Sequence, residues 1–258
     1  MKTIDQLLKE IKRVHFIGIG GSGMCPLAEI LHAQGYEVSG SDVNESETLA
    51  RVRALGIPVA MPQKAENIEG AEMIVYTAAL LPDNPELCAA KASGIPTFER
   101  SKLFGAITRI YNNAVCVCGT HGKTTVTAML THIFIKTDMD PSAVIGGRLP
   151  LTGTNGRVGK TENIICEACE FVDTFLDLSP DVAVILNISA GCPHLLSPVG
   201  IRLIHHGPLG ISLHPYCIEQ DKCNGNDIQH NPAEEPVLYS REHWNPGQIL
   251  RYSYCERV

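Results

Sequence analysis

Short apolar runs alternate with amphipathic segments over the first hundred residues of the chain. The apolar runs predict strands at 13–19, 37–42, 73–77 and 97–98, and helical periodicity predicts helices at 25–34, 47–55, 86–92 and 102–109. Gly35, Gly56 and Gly94 follow three of these helices, where a left-handed residue commonly ends a helix. This alternation predicts a parallel sheet with helices on both faces.

A second series of alternating elements follows. Its strands are predicted at 114–118, 142–145, 163–167 and 182–188, and its helices at 123–134 and 172–176. We therefore predict a first domain at 1–107 and a second at 108–188, with the break at 108–113. Beyond this point the helical periodicity fades, and residues 189–258 hold six of the ten histidines and seven of the sixteen prolines. This stretch is an atypical tail.

The first predicted strand ends in a glycine-rich turn, because residues 18–23 read Gly-Ile-Gly-Gly-Ser-Gly. Gly18 allows the tight turn, Gly20 and Gly21 let a diphosphate approach the backbone, and Gly23 lets the next helix pack closely. Asp42 ends the following strand, where its carboxylate can accept a hydrogen bond from a ribose hydroxyl. The pattern favours a nucleotide diphosphate, although a tight turn without a ligand has the same glycines.

The second unit also opens with a phosphate-binding pattern, because residues 119–125 read Gly-Thr-His-Gly-Lys-Thr-Thr. This is a short P-loop, since Val117 occupies the place of the usual first glycine. Its N–H groups can cradle phosphates, Lys123 can reach the β and γ phosphates, and the Thr124 hydroxyl can ligate Mg²⁺. The alternative is a plain glycine turn before an exposed lysine. The residues predicted to bind ATP are Gly119, Thr120, His121, Gly122, Lys123, Thr124 and Thr125.

A P-loop site needs a second metal ligand. Glu167 ends the predicted strand at 163–167, at the edge of the sheet where parallel α/β proteins gather their chemistry. A carboxylate there can hold Mg²⁺ against the β and γ phosphates. An ordinary acidic residue at a helix start is the alternative interpretation.

Composition and charge narrow the class of protein. The net charge of −7 disfavours nucleic-acid binding, because no basic surface neutralises phosphates in bulk. The charged N-terminus and the absence of a membrane-length apolar run predict a cytoplasmic protein that does not enter a membrane. The ten cysteines are then expected to be reduced. Cys166 and Cys169 have the spacing of half a zinc site, but no second pair accompanies them. No pattern in the sequence indicates an oligomeric state.

Four segments, at 15–24, 119–125, 167–175 and 182–188, resemble the Mur ligase family and occur in its order. The resemblance implies a Rossmann-like parallel-sheet domain for a UDP-linked substrate, followed by a truncated P-loop α/β domain for ATP. It implies that ATP and Mg²⁺ serve to phosphorylate the lactyl carboxylate of UDP-N-acetylmuramate. The amine of L-alanine would then attack the acyl phosphate.

The resemblance also implies roles for individual residues. Lys123 and Glu167 would be catalytic, with Lys123 steadying the transferred phosphoryl group, and Thr124 and Glu167 would hold the metal ion. Thr77 would lie near the diphosphate. The residues implied to bind the UDP portion are Gly18, Gly20, Gly21, Ser22, Gly23, Asp42 and Thr77.

The family pattern stops after Asn187 and Ile188. Where the family has a metal-binding histidine, this chain has Cys192, and His194 is displaced by two positions. We interpret 189–258 as an out-of-frame or disordered tail on a truncated ligase. On this hypothesis the edge of the sheet beside 182–188 is unpaired, and the chain alone does not ligate. A metal-binding appendage is the alternative, with candidate ligands Cys192, His194, His205, His206, His214, Cys217 and Cys223.

Two functions outside this ligase reading stay open. An NAD-dependent oxidoreductase would use the first glycine turn and leave the second unexplained. A non-catalytic module would bind a UDP-sugar without turnover. Within the family, a murein tripeptide ligase is the nearest alternative to an alanine-adding enzyme.

Overall fold

We describe the protein from a computed structural model of the chain. The structure describes residues 2–169, 171–187 and 237–239. These residues form two α/β units that follow one another along the chain. Of the predicted tail, only 237–239 is described, so the candidate metal ligands in that tail lie outside the described residues.

The first unit is a five-stranded parallel sheet with the strand order β3-β2-β1-β4-β5. The order reverses direction on either side of β1, so the loop after β1 opens into the crevice where such sheets bind ligands. Its strands are β1 (Arg13–Ile17), β2 (Glu37–Ser41), β3 (Val59–Ala60), β4 (Met73–Tyr76) and β5 (Thr97–Glu99). Its helices are α1 (Ile4–Leu8), α2 (Cys25–Ala33), α3 (Glu47–Ala54), α4 (Pro85–Ala92) and α5 (Arg100–Ile110), with a 3₁₀ helix at Ala65–Ile68.

The predicted parallel α/β fold is confirmed for this unit. Gly35, Gly56 and Gly94 follow α2, α3 and α4 with φ values of +90°, +83° and +77°. Only glycine adopts this left-handed conformation without strain, which is why these positions end the helices. The sequence patterns missed the short α1 and β3, which offer too few residues for a periodicity.

A buried polar network fixes α4 against the centre of the first sheet. His15 on β1 hydrogen-bonds through Nε2 to Glu86 Oε1 (2.6 Å) and through Nδ1 to Ser39 (2.8 Å). The other Glu86 oxygen accepts from the Asn67 amide (3.2 Å). Because buried polar groups destabilise a fold unless they are partnered, this network specifies how α4 docks on the sheet.

The second unit is a six-stranded sheet with the order β11-β10-β6-β9-β7-β8. Strands β10, β6, β9 and β7 run parallel, and the two edge strands are antiparallel to their neighbours. The strands are β6 (Asn113–Cys118), β7 (Ser142–Leu149), β8 (Thr154–Arg157), β9 (Asn163–Glu167), β10 (Val182–Ile185) and β11 (Val237–Tyr239). The helices are α6 (Lys123–Lys136) and a 3₁₀ helix at Phe171–Asp177.

The expectation of an unpaired edge beside β10 is wrong. Strand β11 pairs with β10 in antiparallel register, with Val184 opposite Leu238. The pairing satisfies backbone groups that an open edge would leave exposed. The pattern could not reveal this, because a three-residue strand far along the chain gives no periodic signal.

The two units share one core. A continuous apolar cluster runs from Phe16 and Leu27 of the first unit, through Phe104 on α5, to Ile164 and Phe175 of the second. Only two residues separate the end of α5 from the start of β6. The glycine loops that follow β1 and β6 are therefore carried on units packed together through a common apolar core.

Two findings concern the described part of the chain. Among the described helices, none combines the length and the apolar character needed to cross a membrane. The six cysteines of the described part, namely Cys25, Cys88, Cys116, Cys118, Cys166 and Cys169, all carry free thiols.

Candidate functional site

The first glycine loop leaves β1 at the centre of the first sheet. Gly18 has a φ of +85°, and a β carbon there would lie 2.8 Å from Thr77 Cγ2. Both the conformation and the close approach therefore require glycine. Thr77, which follows β4, lies against this loop, near the place where the resemblance puts the diphosphate.

Asp42, directly after β2, and Thr48 on α3 hold the next part of the loop. The Gly20 N–H donates to Asp42 Oδ2 (2.8 Å), and the Thr48 hydroxyl donates to the Gly20 carbonyl. The other oxygen, Asp42 Oδ1, accepts from the N–H groups of Val43 (2.8 Å) and Asn44 (3.2 Å). Asp42 thus supports the loop itself, and its predicted contact with a ribose hydroxyl stays a prediction.

The end of the first loop presents exposed backbone beside a cation. Gly21 and Ser22 are exposed, and α2 begins without a side-chain cap on its first N–H groups. A β carbon at Gly23 would lie 3.3 Å from the side chain of Arg100, the first residue of α5. The N–H groups of Gly21 and Cys25 already donate to the carbonyls of Gly18 (3.1 Å) and Gly21 (2.9 Å), so an anion here would meet those of Ser22 and Gly23, and the guanidinium nearby would add to the attraction.

Sequence reasoning missed Arg100. It follows β5 at the same edge of the sheet that carries the glycine loop, so its place after a strand was visible in the sequence but its contact with that loop was not. Arg100 has no hydrogen-bond or ion-pair partner among the described residues. Its guanidinium is the cation that the first loop itself lacks.

The second glycine loop connects β6 to α6. Gly119 and Gly122 have φ values of +137° and +83°, so both positions favour glycine. Lys123 starts α6, and its Nζ donates to the carbonyls of Gly119 (2.8 Å) and Thr120 (3.3 Å). The ammonium group therefore lies over its own loop, where the phosphates of a nucleotide would bind.

Asn187, which follows β10, hydrogen-bonds to the backbone of the second loop. Sequence reasoning missed it as a site residue. Its Oδ1 accepts from the His121 N–H (2.9 Å), and its Nδ2 donates to the His121 carbonyl (3.0 Å). Its backbone carbonyl accepts from the Thr120 N–H (3.1 Å). These bonds fix the loop backbone, while the His121 and Thr125 residues are exposed beside it.

Glu167 lies beside Thr124, the other residue predicted to be a metal ligand. The Thr124 hydroxyl donates to Glu167 Oε1 (2.9 Å), although the two residues are 43 positions apart. The Gly146 N–H on β7 donates to Glu167 Oε2 (2.6 Å), and a β carbon at Gly146 would lie 2.6 Å from that oxygen. A β carbon at Gly147 would lie 2.9 Å from Thr124. This glycine pair, which sequence reasoning missed, makes room for both side chains.

The donor set fits Mg²⁺. Thr124 and Glu167 supply oxygen ligands at the mouth of a phosphate-binding loop, and Mg²⁺ prefers a few protein oxygens completed by water and phosphate. Among the described residues, no cluster of three or more histidine, cysteine or acidic side chains could hold a metal. These two oxygen donors could therefore hold Mg²⁺.

Two family models match the chain. Residues 13–112 match "Mur ligase family, catalytic domain", and residues 117–194 match "Mur ligase middle domain". The boundary between the two matches falls where α5 gives way to β6.

Curated relatives and a solved structure agree with these models. A UDP-N-acetylmuramate–L-alanine ligase of Acetivibrio thermocellus is 48% identical over 181 residues, covering 70% of this chain and 39% of that protein. One of Legionella pneumophila is 38% identical over 233 residues, covering 86% and 49%. The crystal structure of a Thermotoga maritima UDP-N-acetylmuramate–alanine ligase superimposes with a TM-score of 0.65 at 30% identity, covering 74% of this chain and 45% of that one.

These coverages carry two consequences. The chain spans 39–49% of the length of these two curated relatives. The Legionella alignment covers more of this chain than residues 1–188 contain, so it extends into the tail. The expectation that the likeness stops at residue 188 is therefore wrong for that relative.

Proposed function

Because the chain belongs to the Mur ligase family, we propose that residues 2–187 form the nucleotide-binding part of a UDP-N-acetylmuramate–L-alanine ligase. One observation carries the proposal: Glu167 and Thr124 meet 2.9 Å apart beside Lys123, on a unit that shares an apolar core with the unit carrying the first glycine loop. Two loops of this kind suit an enzyme that transfers phosphate from one nucleotide to a substrate linked to another. Such nucleotide substrates belong to the cytoplasm, which is where we propose that the enzyme acts.

At the second loop, the chain's own groups would bind and orient ATP. The N–H groups at the start of α6 would surround the phosphates, and Lys123 would turn from its loop carbonyls towards the β and γ phosphates. Mg²⁺, held by Thr124 and Glu167, would neutralise charge on these phosphates. Phosphoryl transfer depends mainly on positioning and charge neutralisation, so these groups need no covalent nucleophile.

At the first loop, the backbone would bind the diphosphate of UDP-N-acetylmuramate. The N–H groups of Ser22 and Gly23 would donate to its oxygens, with Arg100 as the balancing cation. Asp42 would act through the loop, because it holds the Gly20 N–H. The sugar and its lactyl carboxylate would then extend towards the second loop, where L-alanine completes the reaction.

The second glycine loop argues against an NAD-dependent oxidoreductase, because it would have no part in hydride transfer. Asp42 does not separate the two functions, since its carboxylate accepts three backbone N–H groups and can still accept from a ribose hydroxyl.

Calorimetric titration of the full chain tests the proposal. We expect binding of UDP-N-acetylmuramate, binding of the ATP analogue AMP-PNP that depends on Mg²⁺, and no binding of NAD. A folded chain that binds neither nucleotide, or that binds NAD in preference to the UDP-sugar, would refute the proposal.

The same preparation also tests catalysis, through the release of ADP. Release of ADP that requires both UDP-N-acetylmuramate and L-alanine would contradict the prediction that this chain alone does not ligate. Binding of both nucleotides without ADP release would leave the non-catalytic module as the description of this chain.

A further inference from the structure

One hairpin of the second unit contacts both glycine loops. Strand β7 carries Gly146, whose N–H holds Glu167, and Gly147, which abuts Thr124. Strand β8, paired with β7, carries Asn155 against the first loop. No other hairpin among the described residues makes contacts of this kind with both sites.

The contact with the first loop is made by a buried amide. The Nδ2 of Asn155 donates to the Ser22 carbonyl (2.5 Å), and its Oδ1 accepts from Arg51 Nη2 (3.3 Å). The orientation of this amide is fixed, because the guanidinium can only donate and the carbonyl can only accept. Asn155 is buried, so its loss would leave the Ser22 carbonyl without this donor.

Arg51 is itself fixed from the other side. Its Nε donates to Glu29 (2.5 Å) and its Nη2 to the Cys25 sulfur (3.0 Å), both on α2 directly after the first loop. Burial, followed by the nearby Glu29 carboxylate, raises the pKa of the Cys25 thiol to about 12, so this thiol stays neutral. Arg51 therefore makes its one ion pair with Glu29 and presents a rigid donor to Asn155.

Close packing joins β8 to α2, while the β7–β8 pairing shifts register between Val144 and Leu149, where Gly146 and Gly147 lie. A β carbon at Gly156, the residue after Asn155, would lie 2.6 Å from the ring of Pro26 in the first turn of α2. Strand β8 thus lies directly against the helix that follows the first loop. A continuous series of contacts thus leads from Glu167, through β7 and β8, to the Ser22 carbonyl.

We propose that Asn155 is a positioning residue for the UDP-sugar loop, and that the β7–β8 hairpin couples nucleotide binding at the second loop to UDP-sugar binding at the first. The inference rests on the proposed function. The loaded second loop would hold Glu167 and β7 in one position. Asn155 would then hold the first loop with its N–H groups directed at the diphosphate.

Binding linkage in the full chain measures this coupling. We expect saturating AMP-PNP with Mg²⁺ to tighten UDP-N-acetylmuramate binding by about fivefold or more, and the UDP-sugar to tighten AMP-PNP binding by the same factor. Asn155→Asp keeps the shape and the acceptor for Arg51 but replaces the donor to Ser22 with an acceptor. This variant should weaken UDP-sugar binding by about tenfold, abolish the coupling and leave AMP-PNP binding alone unchanged.

A matched control lies on the same interface. Glu47→Gln removes the exposed ion pair between Glu47 and Arg148 (3.0 Å), which also joins the hairpin to the first unit. Exposed pairs contribute little, so both affinities and the coupling should stay at the wild-type values. Asn155→Ala should repeat the loss of coupling, and the melting temperature of each variant reports whether it is folded.

The outcomes separate the two proposals. Wild-type coupling in Asn155→Asp, or equal weakening of both ligands together with a lowered melting temperature, would overturn the positioning role. Independent binding of the two nucleotides in the wild type would overturn the coupling while the proposed function stands. Failure of the wild type to bind either nucleotide would overturn the proposed function and this inference with it.

Discussion

The two glycine loops follow central parallel strands in the same way, yet they are held in place differently. The first is fixed by side chains from other elements: Asp42 and Thr48 bind Gly20, and Asn155 binds Ser22. The second is fixed by its own Lys123, which donates to the Gly119 carbonyl, and by Asn187, which accepts from the His121 N–H.

The two loops therefore obtain their positive charge from different parts of the chain. The second loop carries Lys123 within its own pattern, so a phosphate site can be recognised from local sequence. The first loop has no cation of its own, and Arg100 reaches it from a strand end some eighty residues later. A backbone cradle supported from outside can be altered by distant residues, whereas a loop that contains its lysine depends mainly on that residue.

The largest effect is expected at the second loop. Lys123→Ala should weaken Mg²⁺-dependent AMP-PNP binding by about 100-fold, because a charged hydrogen bond to phosphate is lost. UDP-N-acetylmuramate binding measured without AMP-PNP should not change. Lys136→Ala, at the exposed end of the same helix, is the matched control for titration calorimetry. Unchanged AMP-PNP affinity in Lys123→Ala would show that the loop binds no triphosphate.

The cation supplied from outside should matter somewhat less. Arg100→Ala is expected to weaken UDP-N-acetylmuramate binding by about 30-fold, with AMP-PNP binding unchanged, because backbone N–H groups still bind the diphosphate. Arg100→Lys should recover part of the affinity. Lys102→Ala on the same helix, which breaks an ion pair with Asp177 (2.6 Å), serves as the control. If Arg100→Ala and Lys102→Ala bind the UDP-sugar equally well, the first loop needs no cation.

The metal ligands should give a smaller, metal-specific change. Glu167→Gln should raise the Mg²⁺ concentration required for half-maximal AMP-PNP binding by about tenfold, since a neutral amide replaces a charged ligand. Glu162→Gln, an exposed acid just before the same strand, should leave the requirement unchanged. An identical Mg²⁺ requirement in both variants would remove Glu167 from the metal site.

The smallest effect concerns pH and the support of the first loop. In the unfolded chain Cys25 loses its proton near pH 9, but burial raises the pKa of the folded thiol to about 12. Its contribution to stability is thus fully present below pH 9 and declines as the pH rises towards 12. At pH 10 the wild type should have lost about 1 kcal/mol of its free energy of unfolding through this thiol. Cys25→Ala should not show this loss.

Denaturant unfolding at pH 8 and pH 10 measures this difference. Cys88→Ala, which removes an exposed thiol, should lose stability at high pH as the wild type does. If Cys25→Ala also follows the wild type, burial does not protect this thiol and the packing around Arg51 is looser than described.

The sequence predicted those parts of the site that depend on neighbouring residues. Helix-ending glycines such as Gly35 and the strands next to each loop follow from local conformational preference and periodicity. The edge pairing of β10 was predicted wrongly, because strand pairing depends on segments far apart in the chain. Gly146 gave no signal either, since its requirement for glycine comes from the Glu167 carboxylate lying against it.

By itself, the sequence determined that this protein has two α/β units built on mainly parallel sheets, each with a glycine-rich loop after a central strand. The reason is that strand periodicity, glycine spacing and helix starts are properties of a few consecutive residues. Only the tertiary structure decided what surrounds those loops, namely Arg100 beside the first, Gly146 behind Glu167, and Asn155 between the two units. These contacts depend on distance in space, which packing of a shared core creates and local sequence does not record.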